Sequence, residues 1–334
     1  MSFKILKNNC CWLDVHKIWI YACIGITASL KRTEYKEARF SSFTKGLNEL
    51  CDWLSKYNCT DVCMESTDKY WISVFNVLEK NNIWVTLSHP KYTKPQKGNK
   101  TDRKDAQWIC NLYMCGMVKP SFIPPADIRE LRDLVRYRFK LTCMITSEKN
   151  RAHNCLTFSN LKLDDVFSDI FGKSSRSITE QILQHPGETF DVAPPFVDGR
   201  CKTPIKEIQA AVDGAISKEQ AVKLRQCLNH IDELEMHKAE IGREIFRLSD
   251  KYEIILSLIR TVPGFDKNPM TAIQVLSEIG GDMSVFPTAK NLVSWAGCYP
   301  RNDQSNHCHL SYDPDRYLAH DRFYILGKVI GKAD

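Results

Sequence analysis

No stretch of the 334-residue chain is apolar enough to suggest a membrane span. The longest, residues 18–28, is about half the roughly 20 residues such a helix needs. The first 20 residues lack a charged start, an apolar middle and a small-residue cleavage site, so no export signal is expected and the chain reads as cytoplasmic. No CxxC pair occurs among the 14 cysteines, and the spacings of Cys59/Cys63 and Cys110/Cys115 do not suit the common zinc motifs. A disulfide scaffold belongs to short secreted domains, so these thiols are read as reduced and serving as small apolar residues. Neither charge sign dominates: 46 Lys and Arg face 40 Asp and Glu, a net +6 that permits a polyanionic partner without demanding one. The 43% hydrophobic and 26% charged residues exclude wholesale disorder and a collagen-like fibre. The length suggests about two domains.

Residues 8–30 alternate and are rich in Trp, Ile, Tyr and Cys, which predicts one or two strands. Leu47, Leu50 and Leu54 predict a helix over 44–54. A short buried strand over 61–64 runs into Glu65. A helix follows over 69–79 with Trp71, Val74, Phe75 and Leu78 on one face, then a strand over 83–87. Residues 91–104 read as a basic loop, and 102–117 as helix. Strands alternating with helices argue for an α/β sheet domain. Pro124-Pro125 marks a boundary, residues 126–158 look helical and basic, and the prolines of 185–204 suggest a loop or linker. Between 216 and 252, Leu224, Ile231, Ile245 and Tyr252 fall on one seven-residue repeat, with Lys238 filling the gap. Cys227, Leu234, Ile241 and Leu248 form a second seam offset by three. This heptad pattern predicts a coiled coil, within the chain or between chains, with a long core helix as the alternative. Helices are also expected up to TVPGF (261–265), over 271–279 ending at Gly280-Gly281, and over 290–296.

Four carboxylates stand out by position. Asp14 lies inside an apolar strand (WLDVHK), Glu65 ends the DVCM strand, and Asp102 and Asp105 open a helix in KTDRKDA. A spacing of three puts the last two on one helix face. A charge amid apolar neighbours is costly unless paired or bound to a metal, and oxygen-only ligands suit Mg²⁺ or Mn²⁺ rather than zinc. Lys91, Lys94, Lys97, Lys100, Arg103 and Lys104 crowd the approach to the last pair. Such a run is either a solvated face or a phosphate-backbone track. Arg132, Arg136 and Arg138 share a helix side and face either nucleic acid or solvent.

The segments WLDVHK, MESTDKYW, SHPKYTKPQKGNKTDRKDAQWI and TVPGF…TAIQVLSEIGG…FPTAKNLVSWAGCYPRNDQS, in this order over residues 8–305, resemble the DEDD insertion-sequence transposases. That family includes a pilin-gene invertase and bridge-RNA-guided recombinases. The resemblance implies α/β plus α architecture: an RNase H-like (RuvC-like) domain over 8–123, then a helical linker and coiled coil over 124–252. A helical transposase domain with a helix-hairpin-helix-like segment follows over 253–334, its pattern broken after about 306. It implies that Asp14, Glu65, Asp102 and Asp105 are catalytic and hold Mg²⁺ or Mn²⁺. It further implies that Ser305, in RNDQS after WAGCYP, is a serine nucleophile that links to a DNA phosphate. Double-stranded DNA, a guide RNA and a homodimer pairing into a tetramer are the implied partners. After Ser305 the sequence departs from the family's glycine- and basic-rich continuation, which suggests an altered or truncated end. Two other functions stay open: an RNase H-like nuclease that activates water, and an inactive nucleic-acid-binding remnant.

Overall fold

A computed structural model of the chain describes residues 4–29, 32–65, 68–89, 102–192, 196–199, 201–296, 304–305 and 308–309. It divides into two compact units, Met1–Ala126 and Asp127–Asp334.

The first unit is built on a five-stranded sheet: β1 (Asn9–Val15), β2 (Trp19–Ser29), β3 (Arg32–Ser41), β4 (Asp61–Glu65) and β5 (Trp84–Ser88), in the order β3-β2-β1-β4-β5. β1–β2 and β2–β3 are antiparallel, while β1–β4 and β4–β5 are parallel. The parallel pairs need crossovers, and α1 (Thr44–Lys56) and α2 (Tyr70–Lys80) supply them. Strand alternation sorts the side chains. Cys11, Leu13, Ile20, Ala22, Ile24, Val62 and Met64 pack against Leu47, Leu50 and Leu54 of α1 and Val74 and Leu78 of α2. Cys10, Trp12, Cys23 and Cys63, on the opposite face, pack against Ala106, Ile109, Cys110 and Tyr113 of α3 (Asp102–Met114). The mixed α/β arrangement fits the RNase H-like domain expected. Twelve of the cysteines, from Cys10 to Cys227, are free thiols, and burial holds the Cys11 thiol well above its ordinary pKa, so it packs as a neutral apolar group.

The strand β3 is absent from the sequence reading. Its residues, RTEYKEARFS, form an edge strand with no continuous apolar face, so the alternation that reveals buried strands is weak there.

The second unit is helical. Two long helices, α4 (Ala126–Phe158) and α8 (Lys218–Ser249), run antiparallel. Lys251, just beyond α8, bonds Asp127 at 2.6 Å, Arg138 packs over Gly242, and His230 approaches Glu148 at 3.2 Å. Between them lie α5 (Leu163–Val166), α6 (Lys173–Gln184) and α7 (Ile205–Ala211), which close a core around Leu141, Ile145, Leu156, Ile178, Ile208, Leu224 and Ile231. The heptad positions Leu224, Cys227, Ile231, Leu234 and Ile245 are the buried face of α8. Lys238 sits at the margin of that face and pairs with Glu235 at 2.8 Å, so its ammonium stays solvated.

A second core joins Ile128, Leu131 and Val135 of α4 and Ile245 of α8 to α9 (Glu253–Arg260) and α10 (Pro269–Ile279). The helix α10 starts on an Asn268 cap whose side chain accepts from Met270 N–H at 3.0 Å. It ends at Gly280, whose φ of 77° suits a residue without Cβ. Arg132 donates to the Ser277 and Glu278 carbonyls at 2.8 and 2.9 Å, and Arg136 forks onto the Glu278 carboxylate with two 2.8 Å bonds. These two arginines are fold contacts. A last helix, α11 (Ala289–Trp295), precedes two-residue strands β6 (Gln304–Ser305) and β7 (Cys308–His309), which pair antiparallel. No helix among the described residues is long and apolar enough to cross a membrane.

Candidate metal and nucleic-acid site

Strand register builds one edge of the sheet. In the parallel β1–β4 pair, Trp12 stands opposite Cys63 and Leu13 opposite Met64. One step on, Asp14 and Glu65 occupy neighbouring positions at the C-terminal ends of strands about 5 Å apart. Alternation puts both on the face of Cys10, Trp12 and Cys63, the face that packs against α3.

The helix α3 is oriented by contacts along its length. Its last turn lies over the start of β1: the Met114 carbonyl accepts from Leu6 and Lys7 N–H groups at 2.8 and 3.1 Å, and Cys110 Sγ lies 3.8 Å from the Cys10 carbonyl. Its first turns therefore point toward the carboxylate edge. Half-buried Asp105 lies there beside buried Ala106. Asp102 begins the helix, and its side chain is outside the described residues, as are Lys91, Lys94, Lys97 and Lys100.

Asp14 Oδ2 accepts a 3.1 Å bond from His16 Nε2, with the two side chains 39% and 45% exposed. Among the described residues no group of three or more His, Cys, Asp or Glu is close enough to hold a metal ion. The donor set still fits a hard divalent cation. Asp14, Glu65 and Asp105 are oxygen donors, and like charges at neighbouring strand positions are destabilising until a cation is shared between them.

Glu37 of β3 was not singled out by sequence, because it lies in the polar edge strand. Its carboxylate accepts from Arg103 at 2.9 Å and from Gln107 at 2.5 Å, so it ties the first two turns of α3 to the sheet. Arg103, a candidate phosphate contact, is thus engaged by Glu37 while 72% exposed. Burial disfavours the charged form of Glu37, but donors from Gln107, Tyr21 and Arg103 outweigh it and hold the carboxyl below its ordinary value of 4.5. Burial and the bond to Glu37 push the Tyr21 hydroxyl up to about 12. A depressed carboxyl stabilises the fold above its unfolded pKa, and that contribution is lost as pH falls through the lower folded value. Thermal melts on going below about pH 4.5 should therefore fall less steeply for Glu37→Gln than for the parent. Identical slopes would remove Glu37 from the acid response. The exposure of Arg103 keeps this effect small.

Ser305 lies in the other unit, opposite Cys308 in the β6–β7 pair, with its side chain outside the described residues. The Gly297–Pro300 part of WAGCYP and Asn302 also lie outside them.

Residues 12–160 match the family model of the IS110 DEDD-type transposases, described as a transposase. Residues 256–313 match the model described as the transposase IS116/IS110/IS902 family. The first match contains all four carboxylates and the second contains Ser305. No curated protein matches the chain. Both transposase segments in chain order over more than half of the residues, the first spanning an RNase H-like sheet with a carboxylate edge, place the chain in the IS110 family of insertion-sequence DNA transposases, enzymes of the divalent-metal-dependent DEDD type.

Proposed function

We propose that this transposase cuts and rejoins double-stranded DNA with Asp14, Glu65, Asp102 and Asp105 holding Mg²⁺, or Mn²⁺ in its place, and with Ser305 as the nucleophile. The observation that carries this reading is the β1–β4 register, which makes Asp14 and Glu65 neighbours on the face that packs against α3, the helix that carries Asp102 and Asp105. A bound divalent ion supplies charge neutralisation at the phosphate and a lower pKa for a coordinated hydroxyl. The carboxylates orient that charge. The Ser305 hydroxyl, a weak nucleophile until activated, forms a bond from Oγ to phosphorus. One backbone P–O bond breaks, and the leaving deoxyribose hydroxyl gains the proton that the serine gives up. Reversal by a different strand's hydroxyl releases the serine and completes the exchange.

Three further parts of the reading rest on the family resemblance. The heptad helix α8 belongs to a coiled-coil region over 124–252 that follows a catalytic domain over 8–123. The α9–TVPGF–α10 segment opens the 253–334 domain and acts as a helix-hairpin-helix that holds phosphate on backbone N–H groups. A guide RNA selects the target, and two dimers assemble on paired DNA sites.

The deciding experiment incubates the purified 334-residue chain with DNA, Mg²⁺ and the element's own RNA, and resolves covalent protein–DNA adducts on a denaturing gel. The adduct should form with the parent and disappear with Ser305→Ala. An adduct that survives the change removes Ser305 from the reaction. A second reading, hydrolysis by metal-activated water, draws support from the oxygen-only carboxylate set, a chemistry that needs no serine. Free 5′-phosphate ends without any adduct would select it.

A further inference from the structure

The carboxylate edge continues beyond Asp14. In register, Asp14 pairs with Tyr21 and Tyr21 pairs with Arg39, so Glu65, Asp14, Tyr21 and Arg39 form one cross-strand row on the α3 face. Beyond that row, at the same end of the sheet, His16 stacks on Trp19 with ring centroids 3.7 Å apart and planes 28° apart. The Arg39 guanidinium lies 4.2 Å from the Trp19 ring centre. The β1–β2 hairpin tip then presents Ile18, 63% exposed, and Phe43 at the start of α1 is 73% exposed. The tip is held in place: Ser42 N–H donates to the Ile18 carbonyl at 3.2 Å, and Ser42 Oγ donates to the Lys17 carbonyl at 2.8 Å. Lys17, Arg39 and Lys45 are exposed around it.

Large apolar side chains at this exposure contribute little to the unit's own core, yet the bonds from Ser42 fix this tip at the same end of the sheet as a stacked column that includes the Arg39 guanidinium. Flat apolar surface interleaved with positive charge fits a ligand with π-faces and phosphates. An unpaired nucleic-acid strand has both, and base stacking on such groups is tolerant of sequence. The ligand lying along a cutting edge is the strand to be cut, which for a transposase is DNA. We propose that Ile18, Phe43 and the Arg39–Trp19–His16 stack form a platform for unpaired bases of the DNA strand at the carboxylate edge, with Lys17 and Lys45 meeting its phosphates. This rests on the function proposed above.

The test measures binding of the full chain to a fluorescent DNA oligonucleotide, unpaired or duplex, at several salt concentrations without divalent metal. Cleavage of duplex with Mg²⁺ is assayed in parallel. Ile18→Ser/Phe43→Ser should weaken unpaired DNA about tenfold, weaken duplex far less, and leave the salt dependence unchanged, as loss of stacking does. Lys17→Gln should weaken both and reduce the salt slope by about one. Both are surface changes, and an unshifted thermal melt confirms the fold. Parent-like binding of unpaired DNA by the double variant overturns the platform, as does a loss equal for duplex and unpaired DNA. In those cases parental cleavage leaves the proposed function standing. A parent chain that neither binds nor cleaves DNA overturns both.

Discussion

Asp14→Asn should reduce DNA strand cleavage about a thousandfold while leaving the thermal melt nearly in place. The substitution keeps shape and a hydrogen-bond partner for His16 but removes one negative charge from the oxygen set. Metal stabilisation of transition-state charge is worth several kcal/mol, and each 1.36 kcal/mol is tenfold in rate, so losing about 4 kcal/mol gives roughly three decades. The side chain is 39% exposed, so neutralising it strands no buried group and the fold tolerates the change. Asp61→Asn is the matching control. Asp61 lies on the same strand as Glu65, on the same face, at the opposite end, where Lys7 and Tyr113 bond it. It should cost stability and spare cleavage. Single-turnover cleavage assays of the two variants decide the point: equal rates would move the metal site away from the β1–β4 edge.

Arg136→Met should destabilise the second unit by about 3 kcal/mol. It leaves the Glu278 carboxylate, 1% exposed, without its two-pronged partner. Removing one member of a buried ion pair costs about 3–5 kcal/mol because the remaining charge is uncompensated. The lower end applies because Arg132 Nε stays 3.7 Å from the same carboxylate. Glu278→Gln should cost less, since the Arg136 side chain it abandons is 40% exposed and can hydrate. A double-mutant cycle by urea denaturation measures the coupling. Equal costs for the two single variants would mean that burial at Glu278 does not set the energetics.

The first unit is mostly legible in sequence because its central strands and crossover helices carry their own periodicities. WLDVHK and DVCME read as buried strands that end in charges, and those charges are Asp14 and Glu65. What the chain does not reveal locally is register: only the pairing of Leu13 with Met64 makes the two carboxylates neighbours. The edge strand β3 and the helices α5 to α7 escape notice because they are polar or short, and Glu37 escapes with β3. The heptads of α8 identify a buried face but not its partner, which is α4 of the same chain. Arg132 and Arg136 look the same as solvent-facing residues until a carboxylate 142 positions away from Arg136 is folded against them.

The antiparallel pairing of α4 with α8 also sets a timetable for synthesis. The apolar stripe of α4, from Leu131 to Leu156, leaves the ribosome well before α8, the long helix that pairs with it. Leu234, level with Ile145 by the Arg138–Gly242 and Glu148–His230 contacts, emerges roughly 90 residues later, and at about 5–20 residues per second this leaves that side of the stripe uncovered for on the order of 5–20 s. The first unit has finished its sheet by then. The nascent second unit is therefore expected to engage chaperones more than the first, and slowed translation between α4 and α8 should lower the yield before any DNA is met.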